Sequence, residues 1–355
     1  MSNDVARADA RQSLRGLRLD LSAKNTPLAL VIFGLPIIGY VAAFVGILAV
    51  GWPWGVLLCP AAAWFVGMMF IVGHDACHQS FTPSRRLNGL IGRVAFIPSL
   101  HSFSLWDLGH NRIHHRHNNV RGFDYVWEPM SPSDYRAANN LKRGIYRLLR
   151  SPIGVAIYYL PCIWLPKMFL VRKTVYGSFR RAYLWDGVLV WGALALQITA
   201  AVMIGSRFGR SAIESVLLAV VVPFLIWNVL MSFVIYLHHT HPDVEWYQSV
   251  EEWRGADGAV RGTVHVRFPW LVRKLMFDIM EHNAHHFAPG VALYRLEAMQ
   301  KLMPEEELVE WTWSVGAFLT IAAKCKLYDY DQHRWVTFRE AASSSLNTAR
   351  VPVAR

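Results

Sequence analysis

The chain is short of charge and of cysteine, and each shortage excludes something. Charged residues make up 17% of its 355 residues, against about 25% in soluble domains. Together with 54% hydrophobic residues and a mean hydropathy of +0.24, this excludes an ordinary soluble domain and points to several membrane spans. The four cysteines, Cys59, Cys77, Cys162 and Cys325, are far apart and form no Cys-x-x-Cys pair, so neither a disulfide framework nor a thiolate metal site is expected. The apolar runs hold almost no ionisable residue, Asp186 and Glu214 near their ends excepted. That scarcity argues against a carrier relaying ions across the bilayer midplane. The sequence has no internal repeat. Its net charge of +11 reads as positive-inside bias and contact with anionic lipid headgroups, so no nucleic-acid partner is expected.

Four runs are long enough to span hydrocarbon, which takes about 20 apolar residues: Leu28 to Val50, Gly55 to Gly73, Leu184 to Ile204 and Ile213 to Leu237. Residues 1–27 form a polar tail bearing Arg7, Arg11, Arg15, Arg18 and Lys24, and the run that starts at Leu28 is too long for a signal-peptide core and lacks an A-x-A exit. The stretches Leu87 to Leu105 and Ile153 to Val171 are apolar but interrupted, the second by Pro161 and Pro166, and read as helices in the interface or dipping partway in. The expected fold is therefore an all-α integral membrane protein: four transmembrane helices, interfacial helices and a cytoplasmic, histidine-rich cap. The main domain covers 28–338, followed by a disordered tail at 339–355. Two hairpins put the termini, the central section and the cap on one side, and the arginines mark that side as cytoplasmic. The first external turn has no basic residue, while the second has Arg207 and Arg210.

Histidine is what the sequence spends its polar positions on. Twelve of its 15 histidines fall into four groups, leaving only His101, His265 and His333 outside. His74 and His78 are spaced i, i+4; His110, His114 and His115 form H-x-x-x-H-H; His282, His285 and His286 form H-x-x-H-H; and HHTH occupies 238–241. On a helix such spacings gather imidazoles on one face, and each group sits at the same predicted membrane face. With one ligand from HHTH the total is nine imidazoles, too many for one ion and suited to two. No Glu is followed by His three residues on, so the paired E-x-x-H di-iron pattern is absent. Imidazole alone admits Zn, Cu, Fe or Ni; a dinuclear, O2-activating iron site is the expectation. Asp278, Asp75 and Asp124 stand where they could orient histidines, and His117 and His241 are expected either to support the ligands from behind or to play structural parts.

These boxes, in this order, resemble the membrane-bound fatty acid desaturase superfamily, most closely acyl-lipid omega-6 (Δ12-type) desaturases. GHDACHQSF at 73–81, HHRHNN with DYVWEP at 124–129, LHHTHP at 237–242, GTVH at 262–265 and the ending CKLYDYDQHRWVTF carry the resemblance, which runs from about residue 28 to about 338. It implies two irons held by His74, His78, His110, His114, His115, His239, His282, His285 and His286, with O2 as co-substrate, a fatty acyl lipid as substrate and a cis double bond as product. His239 is the residue of HHTHP matching the family's ligand between the second and third boxes. Box two has three residues between its first two histidines where close relatives often have two. The chain has no His-Pro-Gly-Gly haem motif, so electrons are expected from a separate donor, ferredoxin or cytochrome b5. Hydroxylase, acetylenase and carotenoid ketolase or hydroxylase chemistry on the same scaffold are the alternatives.

Overall fold

The computed structural model describes residues 20–169, 180–304 and 308–348. Arg7, Arg11, Arg15 and Arg18 of the polar tail lie outside them, as does Val171. The chain is mostly helical, and five helices are long and apolar enough to cross a membrane: Thr26–Val50, Trp54–Cys77, Pro152–Phe169, Arg181–Arg207 and Ala212–His239. That makes it a membrane protein. Four of the five coincide with the runs read from the sequence. The fifth, Pro152–Phe169, is the stretch expected to lie in the interface. Its Pro161 and Pro166 fall in a π-helical segment, Leu160–Phe169, whose wider turn takes up prolines that break an α-helix. The helix therefore continues where proline counting ends it.

Local chemistry explains where the main helices stop. Helix α1 (Thr26–Val50) starts at Asn25, whose side chain accepts from the Leu28 amide, and ends at Gly51 with φ +67°, a conformation that favours glycine. Arg210, from the turn after the fourth apolar helix, donates to the last carbonyls of α1 at Leu48 (3.3 Å), Ala49 (3.0 Å) and Val50 (2.7 Å). The Trp52 amide in turn donates to the Glu214 carboxylate at 2.8 Å. The two turns thus meet at one end of the bundle, and Arg210 there is a helix cap.

The other end carries the histidines. Helix α2 (Cys59–Cys77) delivers His74 and, at its C-cap, His78. Helix α3 (Arg85–Phe96) is amphipathic, burying Ile91, Ala95 and Phe96 while Leu90 and Val94 stay exposed. Short helix α4 (Phe103–Trp106) runs into a π-helix at Asp107–His114 and then His115–His117. Asp186, buried in α5 (Arg180–Arg207), accepts from the Ser104 amide at 2.8 Å and from Arg93 Nε at 2.7 Å, tying the bundle to the start of this arm. Helix α6 (Val222–His239) ends on the HHTH group.

The cap is not purely helical, which corrects the all-α expectation. Strand β1 (Val264–Arg267) pairs in parallel with β2 (Val309–Thr312), and β3 (Leu327–Asp329) pairs antiparallel with β4 (Arg334–Val336). The apolar stretch near Trp311 to Ala323 divides between β2 and helix Val315–Lys324. The tail expected to be disordered from 339 instead begins as helix Phe338–Thr348. Thr337 and Glu340 cap that helix reciprocally, with the Glu340 amide donating to Thr337 Oγ1 at 3.2 Å and the Thr337 amide to Glu340 at 2.7 Å; Ala341 is buried against Tyr135. One aromatic core, including Phe70, Phe96, Trp106 and Trp227, joins the helices, and a second, including Trp127, Tyr236 and Tyr328, underlies the cap. The histidines lie where the two meet.

Candidate metal centre

All nine histidines expected at the centre come together, in two groups. His74, His78, His110, His115 and His285 form one; His114, His239, His282 and His286 form the other. Within each group one ring nitrogen per residue lies within 4.8 Å of the rest. Neighbours in sequence part company: His114 and His115 join different groups, as do His285 and His286. Successive helical residues point about 100° apart, so an adjacent pair enters two neighbouring groups. The His115 and His286 rings stack across the divide, centroids 4.1 Å apart at 15°.

The π-turn explains the spacing of box two. In a π-helix the hydrogen bond runs from i+5 to i, and the His115 amide indeed bonds to the His110 carbonyl. One extra residue per turn brings i, i+4 and i+5 to the face that i, i+3 and i+4 share in an α-helix. H-x-x-x-H-H on a π-helix thus presents its imidazoles as H-x-x-H-H does on the α-helix His282–Phe287. Gly109 makes room for the arm: a Cβ there would lie 2.3 Å from the Tyr125 hydroxyl.

Partners behind the rings fix two tautomers. His114 Nδ1 lies 3.1 Å from both Asp124 oxygens. Asp124 also accepts from the Asn119 (2.9 Å) and Val126 (3.0 Å) amides. Burial alone raises the Asp124 carboxyl, but the His114 ring and these donors bring it below its ordinary value. His239 Nδ1 stands 3.0 Å from the Gly262 carbonyl, which can only accept. Nδ1 therefore carries the proton and Nε2 turns a lone pair inward. Of the three carboxylates expected to orient histidines, only Asp124 does so. Asp278 pairs with Lys274 at 2.7 Å and Arg273 at 3.3 Å, leaving His282 Nδ1 unbonded, and Asp75 accepts from Ser80 and the Leu293 amide. Asp278 is drawn off because two cations sit within reach on its own side.

The remaining histidines serve the frame. His265 Nε2 lies 2.7 Å from buried Glu281, which Arg273 also holds at 3.0 Å, fixing the residue just before His282. His238 stacks on His282 at 3.7 Å, and His101 is enclosed with Tyr159 Oη 2.7 Å from its Nε2. His117 packs on Phe123, His241 faces Asp243 and His333 faces Glu252. Tryptophan Trp106, stacked on His110 at 4.8 Å, and the Gly262 carbonyl were missed by sequence reasoning because only tertiary contact brings them in.

A pair of metal ions fits these residues. Nε2 atoms approach one another at 2.7 Å (His74, His110), 3.1 Å (His110, His115), 3.0 Å (His115, His285) and 3.1 Å (His239, His282). His286 makes no hydrogen bond from either nitrogen, nor does His78 Nε2. Converging lone pairs in a buried site are an arrangement that a shared cation satisfies. Burial, reinforced by the neighbouring rings, lowers the His78 pKa to about 3 and pushes those of His110, His115, His282, His285 and His286 well below the usual value. Neutral imidazole is the ligating form.

Against the site lies an apolar cavity, lined by His74, His110, His114, His239 and His282 together with side chains such as Phe70, Ile163 and Met231. A family model described as fatty acid desaturase matches residues 50–314, and the chain belongs to the fatty acid desaturase family. Among curated proteins it is 28% identical over 311 residues to the sn-1 oleoyl-lipid 12-desaturase of Picosynechococcus sp., covering 84% of this chain and 85% of that one. It is 29% identical over 278 residues to the protein of the same name in Synechocystis sp., covering 76% and 74%. To the chloroplastic omega-6 fatty acid desaturase of Brassica napus it is 27% identical over 292 residues, covering 79% of this chain and 62% of the relative.

Proposed function

We propose that the chain is an O2-dependent acyl-lipid desaturase that places a cis double bond at the Δ12 position, using two irons bound by the nine histidines. The observation that supports this most is the juxtaposition of two converging imidazole groups with a cavity walled by apolar side chains. The names of its relatives support the acyl-lipid substrate and the position. His74, His78, His110, His115 and His285 are assigned to one iron, and His114, His239, His282 and His286 to the other. When bound, the irons supply the oxidising power that removes hydrogen from two adjacent methylenes, with O2 as final electron acceptor.

The protein's own residues do the positioning. Asp124 and the Gly262 carbonyl hold the His114 and His239 protons on Nδ1, so both rings offer Nε2 to the site. Phe70, Ile163 and Met231 give the chain an apolar bed that excludes water and keeps one pair of carbons beside the histidines. Electrons come from a separate ferredoxin or cytochrome b5. Four of the five helices span the membrane, with Pro152–Phe169 lying in the interface or dipping partway in and the histidine end and the cap facing the cytoplasm. Expression in a host of simple lipid composition tests the activity: new fatty acids lacking two hydrogens are expected, whereas products that have gained oxygen would make the enzyme a hydroxylase.

A further inference from the structure

A second apolar hollow lies beside the histidine cavity. Trp64 and Gly67 of α2, Leu230 and Phe233 of α6, and Met276 and Trp313 of the cap border it. Its inner wall is shared. Phe70, Ile71, Met231 and Val234 line this hollow and the histidine cavity alike, so these four side chains separate the two spaces. Both α2 and α6 belong to helices long and apolar enough to cross a membrane, so the hollow lies between two such helices. Near it the cap helix Trp270–Leu275, whose Val272 and Leu275 also line the hollow, exposes Trp270 and Leu271.

We propose that this hollow is a lateral portal through which one acyl chain of a bilayer lipid reaches the site, with Ile71, Met231 and Val234 as the gate. The proposal rests on the desaturase reading and adds the route and the physical form of the substrate. A lipid with two chains keeps its headgroup at the interface and its second chain in hydrocarbon. Drawing the reacting chain through water would expose its methylenes one after another, each at a cost in free energy. A sideways path between helices keeps the chain in apolar surroundings throughout. Methionine suits a gate, because its unbranched thioether changes rotamer at little cost. An acyl thioester delivered from water would have no need of this hollow.

Gly67 offers the test. A Cβ added there meets only Trp227 Cδ1 at 3.9 Å, an ordinary contact, so a larger side chain is accommodated at its root and grows into the hollow. The protein is reconstituted in vesicles of phosphatidylcholine carrying a mid-chain diazirine, irradiated, and its adducts mapped by peptide mass spectrometry. Wild-type protein is expected to carry adducts at Trp64, Met68 or Leu230. Gly67→Phe is expected to lose them, with desaturation of bilayer lipid falling roughly tenfold or more at unchanged iron content. Wild-type protein without adducts at the hollow overturns the portal, and because it needs no variant, that readout stands even if Gly67→Phe fails to fold. So does Gly67→Phe desaturating lipid at the wild-type rate, or wild-type protein using a water-borne acyl thioester while ignoring bilayer lipid. Failure of wild-type protein to form a double bond from any donor would overturn the desaturase reading instead, and the adduct map does not depend on that result.

Discussion

Two of the nine imidazoles are braced from behind, both in the group of four, whereas the five of the other group meet little but one another. His114 rests on Asp124 and His239 on the Gly262 carbonyl, and all four members of their group are buried. Among the described residues, no carboxylate or carbonyl holds a ring nitrogen of His74, His78, His110, His115 or His285, and three of these are only partly buried. The smaller group is thus preorganised in part, by two fixed tautomers, and the larger one would rely on ligand number. A site with a spare nitrogen tolerates a loss that a four-nitrogen site does not.

The largest expected effect breaks that symmetry directly. His286→Ala leaves three nitrogens in its group, and desaturation should fall by more than about 100-fold, beyond the range seen when only an orienting partner is lost. His78→Ala leaves four and should retain measurable product, assayed as new unsaturated fatty acid per milligram of protein. Equal losses would erase the distinction. Next comes Asp124→Asn, which keeps the shape but removes the charge that fixes the His114 proton. A loss of roughly 10- to 100-fold in metal affinity or activity is expected, read by metal competition.

A smaller effect is expected from shortening box two. Deleting Asn111 turns the π-turn into a regular α-turn and gives H-x-x-H-H, so metal content should hold while activity drops by less than about tenfold. Inserting an alanine at the same place should abolish both. Acid sharpens the comparison least, because both groups share the effect. The folded pKa values of His78, His110, His115, His282, His285 and His286 lie below the unfolded value of about 6.5. Below that pH the unfolded chain binds the extra protons, so the stability is present above about pH 6.5 and is lost as pH falls toward the folded values. The melting temperature of metal-free protein, followed between pH 7.5 and 5, should fall steadily; a flat profile would show that the rings are not held neutral.

Much of the centre was legible because helices convert spacing into a face. His282, His285 and His286 announce themselves at i, i+3 and i+4, and His74 and His239 stand near the ends of apolar runs whose ends must meet. The extra residue in box two was itself the sign of a π-turn. What stayed hidden depended on tertiary neighbours. Asp278 stands one turn before His282 as an orienting residue would, yet Lys274 and Arg273 claim it. The helix Pro152–Phe169 was concealed by prolines that the π-turn absorbs. Strands β1 and β2 are short, parallel and more than 40 residues apart, so no local pattern marks them. The helix Phe338–Thr348 did leave a signal, the T-x-x-E of Thr337 to Glu340, which is a capping box.

The central claim is that two groups of histidines each hold one iron. Metal analysis of purified, folded protein measures it most directly, with His286→Ala and His78→Ala alongside. About two irons per chain are expected in the wild type, about one in His286→Ala and a value between those in His78→Ala. Wild-type protein that keeps its helices yet binds no iron, or binds one iron that neither substitution alters, would contradict the account.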